Sequence, residues 1–397
     1  MYLQDTSNKP DTQADKSFRI KIRDVFFLLI YVYYAQGALY PTGTILSKIA
    51  LALIFIICAY YLVKLSLIKS SWNNLFYIMW TSLLLLNVFG FVITYAVDST
   101  VGEHFGMLRG ILISLLPFYP CYFFSKRNNL TAKYLAAFAL LSLPILVMNF
   151  YVNEANVLET GREVVVNNAA YAIIGLIPFL FLIKSRVLSL ALTFIIIVMT
   201  ITGLKRGAIF VGGIGLMIYF YYLMRTVSGK NKGFIYSLSF IALCCITYFA
   251  YDLFASNELL INRMMQISEG GSGRDRIFLT ILSSWANAES ALNLLFGYGF
   301  AASFSLAGNY AHNDWLELLS NFGLLGIFIY LMLFFAATKY VFHKGWSIDK
   351  RLTMLVIIVM WFLITLFSMG YMNNVTAYMR TIMLAYLIGS NSKTLAR

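Results

Sequence analysis

Three short stretches of this 397-residue chain hold most of its capacity for polar chemistry: Thr202-Gly203-Leu204-Lys205-Arg206-Gly207, Gly273-Arg274-Asp275-Arg276, and His312-Asn313-Asp314-Trp315-Leu316-Glu317. Each sets a cation or an imidazole at the start of a predicted helix. Positive side chains there oppose the helix macrodipole at about 0.3–1 kcal/mol, whereas a bound anion is favoured by dipole, free amides and guanidinium together. Lys205, Arg206, Arg274 and Arg276 therefore read as an anion site suited to a phosphorylated ligand. The bland alternative for any one arginine is pairing with an acid such as Asp275 or Glu269, worth about 0–1 kcal/mol when exposed. His312 is one of three histidines. Just before a helix start the dipole favours its neutral form, which can accept a proton. Asp314 and Glu317 have capping-box spacing and are expected to start the helix, with a second-rank place in the site. With no HExxH, no second histidine at ligand spacing and no D-x-D pair in the loops, no metal or other cofactor is expected.

The elements that must position these residues follow from composition. The chain is 60% hydrophobic and 12% charged, with a mean hydropathy of +0.76, far from a soluble domain. An all-α polytopic membrane protein is the expected fold class. Apolar runs of about 17–25 residues, each long enough to cross roughly 30 Å of hydrocarbon, begin near Val25, Ile45, Leu75, Met107, Tyr134, Ala169, Val187, Gly207, Phe234, Asp314, Leu352 and Val375, giving about twelve spans. Residues 1–23 read as a cytoplasmic tail rather than a signal peptide. Residues 24–390 read as one transmembrane domain with a large extracytoplasmic loop at about 252–311, and 391–397 as a second cytoplasmic tail. The formal charge of +13 then describes membrane orientation, and no nucleic-acid partner is expected. With the amino terminus inside, the inner loops collect Lys16 to Arg23, Lys126-Arg127 and Lys339 to Arg351, while the outer loops hold acids such as Asp98, Glu154 and Glu258. Lys205-Arg206, Arg274 and Arg276 are the outer exceptions. Cys58, Cys121, Cys244 and Cys245 show no CxxC spacing and read as small buried hydrophobes.

Within the large loop, Ser272-Gly273-Arg274-Asp275 followed by Ile277, Phe278, Ile281, Leu282 and Trp285 reads as an N-capped amphipathic helix at the membrane interface. Gly297-Tyr298-Gly299 reads as a turn whose backbone can approach a ligand. Ala208, Gly212 and Gly215, like Gly323 and Gly326, have small-residue spacing for close helix packing. Arg380 falls inside the last span, where an arginine faces a cavity or snorkels, and is a second-rank site residue with Tyr298.

The order Gly203-Leu204-Lys205-Arg206-Gly207, Ser272-Gly273-Arg274 with Trp285, Phe296-Gly297-Tyr298-Gly299, then Ala311-His312-Asn313-Asp314-Trp315-Leu316-Glu317 with Phe322-Gly323-Leu324-Leu325-Gly326 resembles the O-antigen ligase and polysaccharide repeat-unit polymerase superfamily of bacterial inner membranes. Lys205 departs from the serine more often found before the arginine, so Arg206 is the safer match. The resemblance implies a metal-independent glycosyltransferase that moves a glycan from an undecaprenyl diphosphate carrier to an acceptor sugar hydroxyl on the outer face of the membrane. It implies an acceptor glycan, a chain-length regulator and a flippase as partners. Under it, Arg206, Arg274 and Arg276 would stabilise the leaving diphosphate, with Lys205 beside them, and His312 would orient or deprotonate the acceptor. Tyr298, Tyr310 and Trp315 would offer faces to sugar rings. A polymerase for O-antigen, capsule or exopolysaccharide is favoured over a ligase acting on lipid A core. A transporter or flippase is the further alternative, although the charges gather at the outer surface rather than at mid-membrane.

Overall fold

The computed structural model describes residues 21–40, 43–159, 166–226, 274–371 and 374–391, with scattered helical positions between 232 and 251. All regular structure among them is helical. The first half contains α1 (Ile22–Leu39), α2 (Ile45–Ser66), α3 (Lys69–Trp72), α4 (Leu75–Val97), α5 (Phe105–Leu115), α6 (Phe118–Lys126) and α7 (Ala132–Leu158). Then come α8 (Ala170–Ile174), α9 (Ile177–Leu180), α10 (Arg186–Thr202) and α11 (Arg206–Thr226). The last part holds α12 (Arg274–Ala286), α13 (Ala291–Phe296), α14 (Ala302–Ala307), α15 (Asp314–Val341), α16 (Ile348–Phe367) and α17 (Asn374–Asn391). Seven helical stretches among the described residues are long and apolar enough to cross a membrane, against the expected total of about twelve. The stretches Ala170–Leu180 and Arg186–Thr202 are apolar but shorter. Most of the span expected from Phe234, the outer loop as far as residue 273, Ser272, Gly273 and Cys245 lie outside the described residues.

Local sequence sets the boundaries. Thr44 and Ser47 form a reciprocal capping box at α2, and the Asn74, Thr131 and Ser185 side chains accept backbone N–H bonds at the starts of α4, α7 and α10. At the other extreme α17 is buried on nearly every face from Ala377 to Ile388. It packs on α5, α6, α8 and α16, and so forms the axis of the bundle. Around it α4 packs on α15, α11 on α16, and α1 on both α2 and α7. Cys58 and Cys121 are buried as expected, whereas Cys244 is exposed.

The largest departure from the expected helices lies in α15. The Tyr330 hydroxyl donates to Asp314 Oδ2 at 2.6 Å. Sixteen residues of straight helix would hold their backbones about 24 Å apart. The helix therefore folds back on itself, and Gly323 is the vertex, with φ 59° and ψ −148°. Trp315 meets Tyr330 and Phe334 across the fold, and a Cβ on Gly326 would lie 3.0 Å from Leu318 O. Gly323 and Gly326 thus permit a hairpin within one apolar run. The break frees the carbonyls of Ser320 and Asn321, which accept from Tyr298 N at 2.8 Å and Gly299 N at 3.1 Å. The Gly297-Tyr298-Gly299 turn thus spends two of its amides on the α15 backbone. Gly297 has φ 75°, and a Cβ there would lie 2.5 Å from Phe322 N.

Candidate functional site

The polar first turn of α15 lies within electrostatic reach of Arg274, the first residue of α12, and of Lys205, just before α11. Asn313, not Asp314, is the N-cap: its Oδ1 accepts from Trp315 N at 2.9 Å and Leu316 N at 3.2 Å. Asp314 and Glu317 are instead buried tethers. The carboxylate of Asp314 is fully buried and accepts from Gly370 N at 2.7 Å, Tyr371 N at 3.3 Å and the Tyr330 hydroxyl. Trp361 Nε1–H in turn donates to Tyr330 Oη at 3.0 Å. Glu317 accepts from Ala311 N at 2.6 Å and from the Ser303 hydroxyl at 2.7 Å, which fixes the turn immediately before His312. The expected Asp314–Glu317 capping box does not form: with the cap one residue earlier at Asn313, both carboxylates reach loops on other elements.

Arg380 lies in α17 and is 6% exposed. Its Nη2 donates to Gly370 O at 2.9 Å and its guanidinium sits 4.5 Å from the centroid of the Trp361 ring. Asp314 and Arg380 thereby grip the same glycine from opposite sides, through its N–H and its carbonyl. Nε and Nη1 of Arg380 are buried without a hydrogen-bond partner among the described residues.

Above these tethers stands His312, half-buried and in the left-handed region at φ 53°. A non-glycine residue held there reports a surrounding structure that over-determines it. Burial lowers the imidazole below its ordinary pKa, and the charges of Arg274 and Lys205 lower it further. Those two cations arrive from different helices. Arg274 is the first residue of α12, which rests on α14 and α15. Lys205 precedes α11, after a turn in which Leu204 takes φ 50°. That turn is anchored by Asn167, whose N–H donates to Gly203 O at 2.8 Å while its side chain bonds Phe150 O and Asn153. Arg274 also faces Tyr171, at the start of α8, whose buried hydroxyl has no hydrogen-bond partner among the described residues.

The structure thus gathers His312, Arg274 and Lys205. Arg206 heads α11 beside them and is half-buried, and the charge of Lys205 bears on His312. Arg276 is exposed on α12. Tyr298 is structural: its hydroxyl donates to Ser284 O at 2.6 Å and its amide to α15. Trp315 is packed among Tyr330, Phe334 and Phe362, with Nε1–H donating to Thr365. Tyr310 lies against His104, 3.0 Å from Nδ1 to Oη, and is half-buried. Tyr171, Ser303, Tyr330 and Trp361 were not singled out from sequence. Each is an ordinary residue in an apolar run, and the only local signal was the pair of glycines that folds α15.

Among the described residues no three His, Cys, Asp or Glu side chains form a group able to hold a metal ion. The site sets the charges of Arg274 and Lys205 near one half-buried imidazole whose pKa they and burial lower. Such an arrangement can neutralise an anionic group and accept a proton next to it. A scan against protein-family models finds no match, and a search of curated proteins finds none either.

Proposed function

We propose that this chain is a membrane glycosyltransferase of the repeat-unit polymerase type, acting on a glycan carried by undecaprenyl diphosphate on the outer side of a bacterial inner membrane. One observation carries the reading. Two cations borne at the starts of separate helices act on a single imidazole whose pKa lies below its ordinary value. Transfer from a lipid diphosphate needs both parts: positive charge where the diphosphate leaves, and a neutral base where the acceptor hydroxyl attacks.

In this reading Arg274, with Arg206 and Lys205, neutralises the diphosphate as the anomeric carbon–oxygen bond breaks. His312 takes the proton of the acceptor hydroxyl as it bonds to that carbon. Glu317 and Asp314 hold the backbone on either side of His312 and take no part in the chemistry. The finer features belong to the same proposal: about twelve spans with both termini inside, and the site on the outer face. The experiment is deletion of the gene followed by electrophoresis of surface polysaccharide. Long ladders should vanish while a single repeat unit still reaches the surface. Core without any repeat unit, with polymer accumulating on the carrier, would assign the chain as a ligase instead. Unchanged polysaccharide would remove both.

A further inference from the structure

At the end of the bundle away from His312, cations gather without acids. The length of α4 separates the two ends: it has 23 residues, about 34 Å of helix. Near its last turn Thr94 Oγ1 accepts from Phe300 N at 2.9 Å, beside the helix that carries Ser303. At its start Asn74 caps the turn that follows α3. There Lys64 lies in the last turn of α2, and Lys126 is the last residue of α6, which packs on α2. Both close stretches long and apolar enough to cross a membrane, so their charges fall at the depth of lipid headgroups.

Three cationic side chains converge at this end. Lys64 Nζ lies 4.9 Å from the centroid of the Phe123 ring, and Arg127 Cζ lies 5.2 Å from the same centroid. Half-buried Lys126 donates from Nζ to Ser70 Oγ at 3.0 Å, which ties α6 to α3. None of the three makes an ion pair among the described residues. Like charges so placed repel one another, and partial burial weakens their screening by water. A shared anion removes that repulsion.

The neighbouring surface says which anion. Ile49, Leu53, Ile56, Tyr60, Val63 and Leu67 are all exposed, and their spacing of three and four residues places them on one helix face. That apolar stripe runs along α2 up to the cations. Trp72, also exposed, marks the boundary by donating Nε1–H to Ser66 O at 2.8 Å. A free phosphate ion makes no use of the stripe, whereas a molecule with hydrocarbon chains below a phosphate matches both parts. We infer that Lys64, Lys126 and Arg127 bind the phosphate headgroup of an anionic membrane phospholipid whose acyl chains lie along this face of α2. The inference does not depend on the transferase reading.

The test is native mass spectrometry of the full chain released from nanodiscs of equal parts phosphatidylglycerol and phosphatidylcholine. The wild type should carry phosphatidylglycerol in excess. Each cation beside an anionic lipid is worth roughly fivefold in binding, so Lys64→Gln/Lys126→Gln/Arg127→Gln should cut that preference by at least about tenfold. Lys184→Gln/Arg186→Gln/Arg225→Gln removes as much charge from exposed positions on other helices and should leave the preference within about twofold of wild type. In pure phosphatidylcholine the first variant should melt with the wild type, and added phosphatidylglycerol should raise the melting temperature of the wild type but not of that variant. An equal loss of preference in the remote variant would overturn the inference, because net charge would then suffice. So would a preference kept by the first variant, or displacement of the lipid by inorganic phosphate, which would assign the cations to a free ion.

Discussion

Removing the Asp314 carboxylate separates a tether from a catalyst. Asp314→Ala would leave three buried donors, Gly370 N–H, Tyr371 N–H and Tyr330 O–H, without an acceptor. Each such loss costs about 1–3 kcal/mol. Arg380, which feels the charge of Asp314 without a direct ion pair among the described residues, would lose that smaller support as well. These contributions overlap because both residues act on Gly370, so the expected destabilisation is about 4 kcal/mol, a large share of a typical 5–15 kcal/mol. Pairing it with Arg380→Met makes the expectation sharper. The double variant should cost less than the sum of the singles by about 0.5–3 kcal/mol, the coupling expected of two residues in one network. Unfolding of the purified variants in mixed micelles measures all three. Asp314→Ala within about 1 kcal/mol of wild type, but without activity, would refute the tether and give the carboxylate a chemical role.

Three further outcomes follow from the same geometry. Gly323→Ala should destabilise the chain by at least about 3 kcal/mol, because the vertex conformation is all but restricted to glycine and the new Cβ would lie 2.6 Å from Leu294 O; membrane abundance and thermal unfolding report it. His312 has a pKa below its ordinary value, so its basic form persists to lower pH than in a free imidazole. kcat/KM should be flat at neutral pH and fall as pH drops through that lowered value. Arg274→Gln, by removing one of the nearby positive charges, should move the midpoint back upward. Arg274→Lys keeps the charge but loses the guanidinium fork, and should impair polymer formation by about 1.5–3 kcal/mol in a complemented deletion strain. Arg276→Lys, on the exposed face, should retain full ladders.

Hydropathy located the helices well because lipid forces each span to be a long apolar run. The expected starts at Ile45, Leu75 and Asp314 coincide with helix starts, and those near Ala169, Val187 and Gly207 fall within one residue. The same rule concealed the fold-back of α15, since both arms of the hairpin are apolar and only Gly323 marks the break. Legibility of the site divides the same way. Residues that carry charge at helix starts, Lys205, Arg274 and His312, stand out against an apolar chain. Tyr171 and Tyr330 do not, because their roles arise from contacts between distant segments. The left-handed Leu204, invisible to sequence spacing, places Lys205 ahead of the helix, where its charge reaches His312.

The most direct measurement is transfer by the purified chain itself. Nanodiscs containing the protein and an undecaprenyl diphosphate-linked repeat unit should yield carrier-linked glycans of two and more units, with free undecaprenyl diphosphate released for every bond formed. The reaction should continue in EDTA and stop in His312→Ala, whose folding is checked by thermal unfolding. A wild-type protein that forms no longer glycan, or a His312→Ala variant that forms it at the wild-type rate, would contradict the account.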